Sequence, residues 1–181
     1  MSMNDLTQRL AIVADKAEIV ECIVRLARGE DRRDEALISA SFAKDAIIDM
    51  GVFRGSYAEY IEWVVPGDPS LPVTSHALGQ SHIELDGEAA RAETYVSSYH
   101  RVDTGEEHRD TVIGGRYLDV LAKRDGVWLI VERTLLYDWF RDDGLAVDWS
   151  EGVMGLPFMA DHYTGRSAPQ ADFSDHFFSK A

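Results

Sequence analysis

The sequence has little of what several protein classes require. It contains one cysteine, Cys22, which excludes an intramolecular disulfide and favours a reducing compartment. Only 18 Lys and Arg residues stand against 32 Asp and Glu, and the net charge of −14 disfavours binding to nucleic acid or to an anionic membrane surface. The sequence has no long apolar run, and its N-terminal residues lack the apolar core of a signal peptide. These absences predict a soluble, cytoplasmic protein.

Motifs that bind cofactors or metals are also missing. The sequence has no P-loop, no dinucleotide glycine fingerprint, no Cys-His metal spacing and no G-x-S-x-G nucleophile elbow. We therefore expect a function that needs neither a cofactor nor a metal. The 181 residues, 45% of them apolar, are enough for one domain with its own core.

The apolar pattern of the first 66 residues predicts three helices. Apolar or small residues recur at steps of four and three, which is typical of a long amphipathic helix with one buried stripe. A shorter helix is expected over residues 34–42, and the capping-box spacing of Ser56 and Glu59 predicts a third that ends by Pro66. The stripe of the first helix consists of Leu6, Leu10, Val13, Ala17, Val20, Val24 and Ala27.

The pattern changes to strands in the second half of the chain. Ala46 to Met50 predicts a short strand, and residues 82–139 predict four longer ones, joined by turns at residues 86–87, 103–105 and 125–126. Consecutive strands joined by such turns form an antiparallel meander. Because the helices need the concave face of this sheet to bury their apolar sides, we predict an α+β cone with a pocket inside.

After Asp142 the pattern becomes irregular but stays rich in aromatic residues. We assign residues 1–142 to the cone domain and residues 143–181 to an extension that packs over the pocket or on a neighbouring subunit. A partly disordered tail is the alternative. The aromatic residues of this extension include Trp149, Phe158, Tyr163, Phe173, Phe177 and Phe178.

Two polar residues fall where the pocket is expected. Asp31 lies four residues after Ala27, so it continues the stripe of the first helix, where an unpaired carboxylate would be costly. A loop or capping role is the alternative for Asp31. His76 lies at the start of a strand, and an imidazole held by a buried carboxylate is a competent general base near neutral pH. The pair is therefore more informative than either residue alone.

Arg133 is a third candidate, in the last strand of the predicted meander. Strict alternation places it on an otherwise apolar face, where its guanidinium must be paired. It is either a structural salt bridge, with Asp31 as a candidate partner, or a fixed cation that stabilises negative charge on a substrate. The residues that share its face by alternation are Val127, Leu129, Val131, Leu135 and Tyr137.

Further pocket residues are expected on one strand and one helix. His100 alternates with Ser98, Val96 and Thr94, so it is predicted to line the interior. The third helix is expected to supply core or pocket wall through Tyr57, Tyr60 and Trp63.

Four segments resemble the SnoaL-like family of the NTF2-like superfamily, over residues 6–142. In layout the chain is similar to scytalone dehydratase, bile-acid dehydratase and hexachlorocyclohexane dehydrochlorinase, which use an Asp-His pair in the cone. The resemblance implies that Asp31 and His76 are this pair. It matches Arg133 to the arginine on the last strand of the dehydrochlorinase, and His100 to a second pocket histidine of scytalone dehydratase. The segments are Gly-Glu-Asp31-Arg, Ser-His76-Ala-Leu-Gly, Gly115-Arg-Tyr-Leu-Asp119 and Arg124-Asp-Gly-Val-Trp128.

One position departs from the family pattern. The related enzymes place Tyr or Lys five residues before the aspartate, to polarise the substrate, and here that position is Leu26. The resemblance still implies a cofactor-independent lyase acting on a hydrophobic, hydroxylated aromatic or alicyclic molecule. The reaction is either a dehydratase-type elimination or a carbon–carbon cleavage with aldehyde release, as in the diarylpropane lyase.

Other functions remain open because the superfamily also contains ketosteroid isomerases and non-catalytic binders. In a ligand-binding or scaffolding domain, Asp31 and Arg133 would form an inert pair. An isomerase is less favoured because the sequence shows no second inward acid beside a tyrosine. Related proteins are often dimers or trimers, and we expect a homo-oligomer here, with a trimer favoured.

Overall fold

The computed structural model describes residues 2–159, 162 and 174–177 of the chain. It has the predicted α+β fold, with three N-terminal helices packed against a curved sheet. None of the helices in these described residues is long and apolar enough to cross a membrane. The helices are α1 (Met3–Arg32), α2 (Glu35–Ser39), α3 (Tyr57–Val64) and α4 (Ser174–Phe177). The strands are β1 (Phe42–Asp49), β2 (Arg54–Ser56), β3 (Val73–Asp86), β4 (Ala89–Asp103), β5 (His108–Arg124), β6 (Val127–Leu145), β7 (Gly152–Val153) and β8 (Leu156–Pro157).

The main sheet has six strands in the order β2-β1-β6-β5-β4-β3. Strands β3 to β6 form the predicted antiparallel meander, but it runs from Val73 to Leu145 and so extends further at both ends. Two of its turns contain Gly87 and Gly126 with positive φ, as tight hairpins require. The expectation of a purely antiparallel sheet is wrong at one place, because β1 pairs parallel with β6. The sheet is therefore mixed.

Helix α1 is as long as predicted, but the stripe predicted to be buried is mostly exposed. Residues 2–14 are exposed throughout, and so are Val20 and Val24; of the stripe only Ala27 is buried. The core face lies elsewhere on the helix and contains larger side chains. A helical period is compatible with either face, and burying isoleucine and leucine removes more apolar surface from water than burying alanine and valine. The buried apolar residues before Ala27 are Ile19, Cys22, Ile23 and Leu26.

Helix α3 begins with the predicted capping box. The Ser56 side chain accepts a hydrogen bond from the Glu59 backbone N–H, and Glu59 Oε2 accepts from the Ser56 backbone at 2.8 Å. The box satisfies backbone groups that a short helix would otherwise leave unpaired. Tyr60 of this helix packs edge-on against Phe42 with ring centroids 5.6 Å apart. Tyr60 thereby faces α1 across the interior.

Strand β6 contains bulges that change which side chains face the cone. Val120 and Leu121 pair with Glu132 and Ile130, so Val131 is an extra residue. Before this bulge the fully buried side chains are Trp128 and Ile130, and after it Arg133. The predicted alternation was therefore right for Arg133 and one residue out of phase before it. The residues misplaced by that prediction are Val127, Leu129 and Val131.

Part of the C-terminal extension is described. The rings of Trp149 and Phe158 pack edge-on with centroids 6.1 Å apart. Arg28 of α1 donates to the backbone oxygen and to Oγ of Ser174, both at 3.4 Å, so α4 lies against α1. The predicted contributions of Tyr163, Phe173 and Phe178 lie outside the described residues, and packing of the extension over the pocket stays a prediction.

Candidate active site

A cavity of about 520 Å³ lies inside the cone. Side chains from α1, α3 and the concave face of the sheet line it, and its wall is mostly apolar. Cavities of this size hold drug-sized ligands and use a few polar groups to orient them. The apolar part of the wall includes Met50, Trp63, Val96, Ile113, Leu135 and Phe140.

Asp31 and His76 come together at one side of this cavity. Asp31 lies in the last turn of α1 and His76 near the start of β3. His76 Nδ1 lies 2.7 Å from Asp31 Oδ1, and the His76 backbone N–H donates to Asp31 Oδ2 at 2.9 Å. The exposed fractions of the two side chains are only 11% and 13%. This two-point contact fixes the carboxylate, and the carboxylate in turn orients the imidazole.

The environment shifts the pKa values of the two cavity histidines in opposite directions. Burial favours neutral His76, but the hydrogen bond to Asp31 and the charges of Glu30 and Asp31 outweigh it, so the pKa of His76 lies above its ordinary 6.5. His100 lies edge-on to His76 with ring centroids 6.2 Å apart. Burial and the nearby His76 lower the pKa of His100 to about 4. His100 is therefore a neutral residue of the cavity wall, and its Nδ1 has no hydrogen-bond partner among the described residues; the alternation with Ser98 had predicted an interior position.

Arg133 pairs with Asp119 and lies behind the cavity wall. Arg133 Nε and Nη2 donate to the two Asp119 oxygens at 2.7 and 2.8 Å, and both side chains are fully buried. The partner considered from the sequence, Asp31, is bonded to His76 instead. The guanidinium carbon lies 4.0 Å from the centroid of the Tyr117 ring, and Tyr117 lines the cavity. Arg133 is thus separated from a ligand by that ring.

The other predicted contact residues divide into two groups. Tyr60, Trp63 and His100 line the cavity. Leu26 and Tyr57 do not line it and belong to the hydrophobic core, which is one of the two places expected for Tyr57. Leu26 is fully buried in the hydrophobic core, and the Tyr57 hydroxyl accepts a hydrogen bond from Lys44 at 2.9 Å in a separate polar contact. Leu26 is in the core because it lies on the buried face of α1.

Glu30 lines the cavity and was missed by the sequence reasoning. It is only 6% exposed, and the Tyr60 hydroxyl donates to Glu30 Oε1 at 2.6 Å. Burial and the Glu30 charge raise the pKa of Tyr60 well above its ordinary value. The spacing from Ile19 through Ile23 and Leu26 to Glu30 is a helical face, so the true core stripe would have identified this acid. Within the described residues, no three His, Cys, Asp or Glu side chains form a group that could hold a metal.

Comparison with known proteins gives a family match and several similar folds. Residues 11–134 match the model of the SnoaL-like domain. An uncharacterized protein of Mycobacterium tuberculosis is 25% identical over 127 residues, covering 68% of this chain and 86% of the relative.

Solved structures with the same fold include two that bear enzyme names. The type 3 hexachlorocyclohexane dehydrochlorinase of Novosphingobium barchaimii is 18% identical with a TM-score of 0.67, covering 83% of this chain and 98% of that one. A provisionally assigned scytalone dehydratase of Novosphingobium aromaticivorans is 19% identical with a TM-score of 0.64, covering 81% and 97%. These likenesses show the cone fold.

Proposed function

Because the chain belongs to the SnoaL-like family of the NTF2-like superfamily, as its sequence segments predicted, we propose that it is a cofactor-independent lyase. His76 is the general base and Asp31 orients it and balances its charge. The observation that carries the proposal is the two-point contact between these residues at the wall of a mostly apolar cavity, which His76 lines. A buried acid-imidazole pair with this geometry supports proton transfer to and from a bound molecule.

The proposed mechanism gives each ring nitrogen of His76 a task. Nδ1–H donates to the Asp31 carboxylate, so Nε2 is the nitrogen with a free electron pair for a substrate in the cavity. In an elimination, Nε2 takes a proton from carbon, the carbon–oxygen bond breaks, and the imidazolium returns the proton to the departing hydroxyl as water. In the deformylating variant, Nε2 takes a hydroxyl proton, a carbon–carbon bond breaks as the aldehyde carbonyl forms, and the electron pair left on the other carbon takes the proton back from the imidazolium.

The cavity wall supports the substrate class expected from the sequence. A volume of about 520 Å³ with mostly apolar lining suits a hydrophobic, hydroxylated aromatic or alicyclic molecule. Similarity to structures named as a dehydrochlorinase and a dehydratase favours an elimination. For Arg133 we propose stabilisation of developing negative charge across the Tyr117 ring rather than by direct contact.

A panel of aromatic and alicyclic alcohols and diols, incubated without cofactor, tests the proposal. New conjugated absorbance indicates elimination, and released aldehyde indicates carbon–carbon cleavage. Tight binding without turnover of any member would instead favour the binding module. A requirement for added nicotinamide or metal would contradict the proposal.

The pH dependence of turnover provides a separate prediction. Since His76 must be neutral to accept a proton, kcat/KM should rise with pH through a midpoint above 6.5, the direction in which its pKa is shifted. Asp31→Asn removes the carboxylate that favours the imidazolium, so its residual activity should have a midpoint at lower pH. The measurement is a pH–rate profile on any panel substrate that turns over. A rate that falls with pH through this range would contradict the assignment of His76 as the base.

An isomerase is the second candidate function, and Glu30 supplies the observation that favours it. The structure has an inward acid beside a tyrosine, which the sequence reasoning had missed. The Tyr60 hydroxyl donates its hydrogen bond to Glu30, however, so it is not available to donate one to a substrate oxyanion. Migration of a double bond in a cyclic ketone, without loss of any group, would identify this activity.

We also propose that the chain forms a homo-oligomer, with a trimer as the expected state. Support comes from the apolar stripe that α1 leaves exposed, and the aromatic extension is a second candidate contact. Leu10→Glu should lower the mass measured by light scattering, because it places a charge in the stripe, whereas Gln8→Glu adds the same charge elsewhere and should not. A monomeric wild-type chain would contradict this proposal. The cytoplasmic location expected from the sequence is a separate prediction. The exposed stripe residues include Leu6, Leu10, Val13, Val20 and Val24.

A further inference from the structure

One buried carboxylate oxygen in the cavity has no task in the proposed mechanism. Glu30 is nine-tenths buried, yet its Oε2 atom has no hydrogen-bond partner among the described residues. A buried polar atom without a partner costs free energy, and a carboxylate oxygen costs more than a neutral one. Native structures leave few such atoms unpaired, and many of those bind a ligand or water.

Neighbouring residues fix which oxygen of Glu30 is available. Tyr60 occupies Oε1 through its hydroxyl at 2.6 Å. Asp119 pairs with the buried cation Arg133 through Nε and Nη2, although Arg133 Nη1 has no partner among the described residues and the Glu30 charge helps to raise the pKa of Arg133. Asp31 is bonded to His76. Glu30 lines the cavity, and its Oε2 atom, which surrounding atoms cover in the empty cavity, is an acceptor oriented by Tyr60 and without a partner among the described residues.

We infer that Glu30 Oε2 is a second recognition point, which accepts a hydrogen bond from a hydroxyl group of the substrate remote from the group that reacts at His76. This inference rests on the proposed function, and it narrows the substrate class to neutral molecules with two separate hydroxyl groups. An ionised carboxylate accepts hydrogen bonds and donates none, so an ether or a ketone oxygen is not recognised there. An anionic substrate group would be repelled by Glu30.

The same geometry predicts what happens when Glu30 is replaced with its amide. In Glu30→Gln the Tyr60 hydroxyl still needs an acceptor, so the amide oxygen takes the place of Oε1 and the NH₂ group faces the cavity. The site then donates where it formerly accepted. The preference for a hydroxyl over an ether oxygen should therefore disappear, because both oxygens accept from an NH₂ group, and a merely structural role of Glu30 would not produce this loss of discrimination.

Calorimetric titrations with naphthalene derivatives test this inference. The probes are 2-naphthol, the 2,3-, 2,6- and 2,7-dihydroxynaphthalenes, and the monomethyl ether of each diol. At least one diol should bind the wild-type protein roughly tenfold or more tightly than both its ether and 2-naphthol, as a hydrogen bond to a charged acceptor allows. In Glu30→Gln that advantage should disappear, so that the diol and its ether bind about equally tightly. Glu88→Gln, at an exposed position, is the matched control and should behave as wild type.

Two results of these titrations would overturn the inference about Glu30. Equal binding of diols, ethers and 2-naphthol to the wild-type protein overturns the inference without use of any variant, so poor folding of Glu30→Gln does not leave it open. A diol preference that persists in Glu30→Gln also overturns it. The titrations involve no turnover, so failure of the lyase proposal, seen as inactive protein in the panel assay, is distinguishable from failure of hydroxyl recognition at Glu30.

Discussion

Replacing His76 with alanine is expected to lower kcat/KM by about 10²–10⁴-fold, the usual contribution of a positioned general base. Asp31→Asn should lower it by a similar factor, because an amide at the 2.7 Å contact no longer holds Nδ1 protonated or stabilises the imidazolium. The double variant should lose little more than either single one, since the two residues act as a unit. The measurement is turnover of the alcohol and diol panel without cofactor.

His82→Ala is the matched control for this series. His82 lies on the same strand as His76, but its side chain is 75% exposed and contacts Glu84 at the surface. Its replacement removes an imidazole from β3 without changing the cavity, so turnover should match wild type. Undiminished activity in both His76→Ala and Asp31→Asn would exclude the proposed base and leave the reaction without its central residue.

Asp119→Asn should destabilise the fold by about 3–5 kcal/mol, because it leaves the buried Arg133 cation without its counter-charge. Both side chains are fully buried in the native state, so water does not compensate. The free energy of unfolding in urea measures the effect. Removing both charges with Arg133→Met and Asp119→Leu should recover most of the loss, because the cost arises from the unpaired charge rather than from the missing pair.

The Arg116–Asp138 pair is the corresponding surface control. Its two hydrogen bonds are both 2.9 Å long, but the side chains are 28% and 34% exposed. Asp138→Asn should therefore destabilise the fold far less than Asp119→Asn, because water screens an exposed ion pair. If Asp119→Asn were no more destabilising than Asp138→Asn, the buried pair would not have the structural role assigned to it.

The sequence was sufficient to predict the elements and the meeting of Asp31 with His76, but insufficient for the partner of Arg133. Counting back from the turn at Asp125 and Gly126 without interruption, Arg133 would lie opposite Leu118. The extra residue Val131 shifts the register by one and places Arg133 opposite Asp119 instead. A bulge of this kind has no glycine or proline to mark it, so local pattern does not reveal it.

Helix α1 shows a different limit of sequence reasoning. Two apolar stripes share the same spacing, and periodicity alone does not choose between them. The choice depends on which face meets the sheet, and that is set by tertiary packing of Ile19, Ile23 and Leu26. Glu30 was missed for this reason, because it lies on the stripe that was not chosen. Asp31 was found because it lies four residues after Ala27, the one buried member of the predicted stripe, and because the family resemblance also pointed to it.

The bulges of β6 also affect how this cavity can change in evolution. Asp138 is an extra residue between Tyr137 and Trp139, and beyond it Phe140 and Asp142 line the cavity. Deletion of Asp138 would reverse which side chains face the cavity at the end of β6. The neighbours of Phe140 and Asp142 would then replace those two side chains in the cavity wall. Asp31 and His76, on α1 and β3, would keep their positions. A descendant could thus acquire a new substrate range while its proton-transfer chemistry is inherited unchanged.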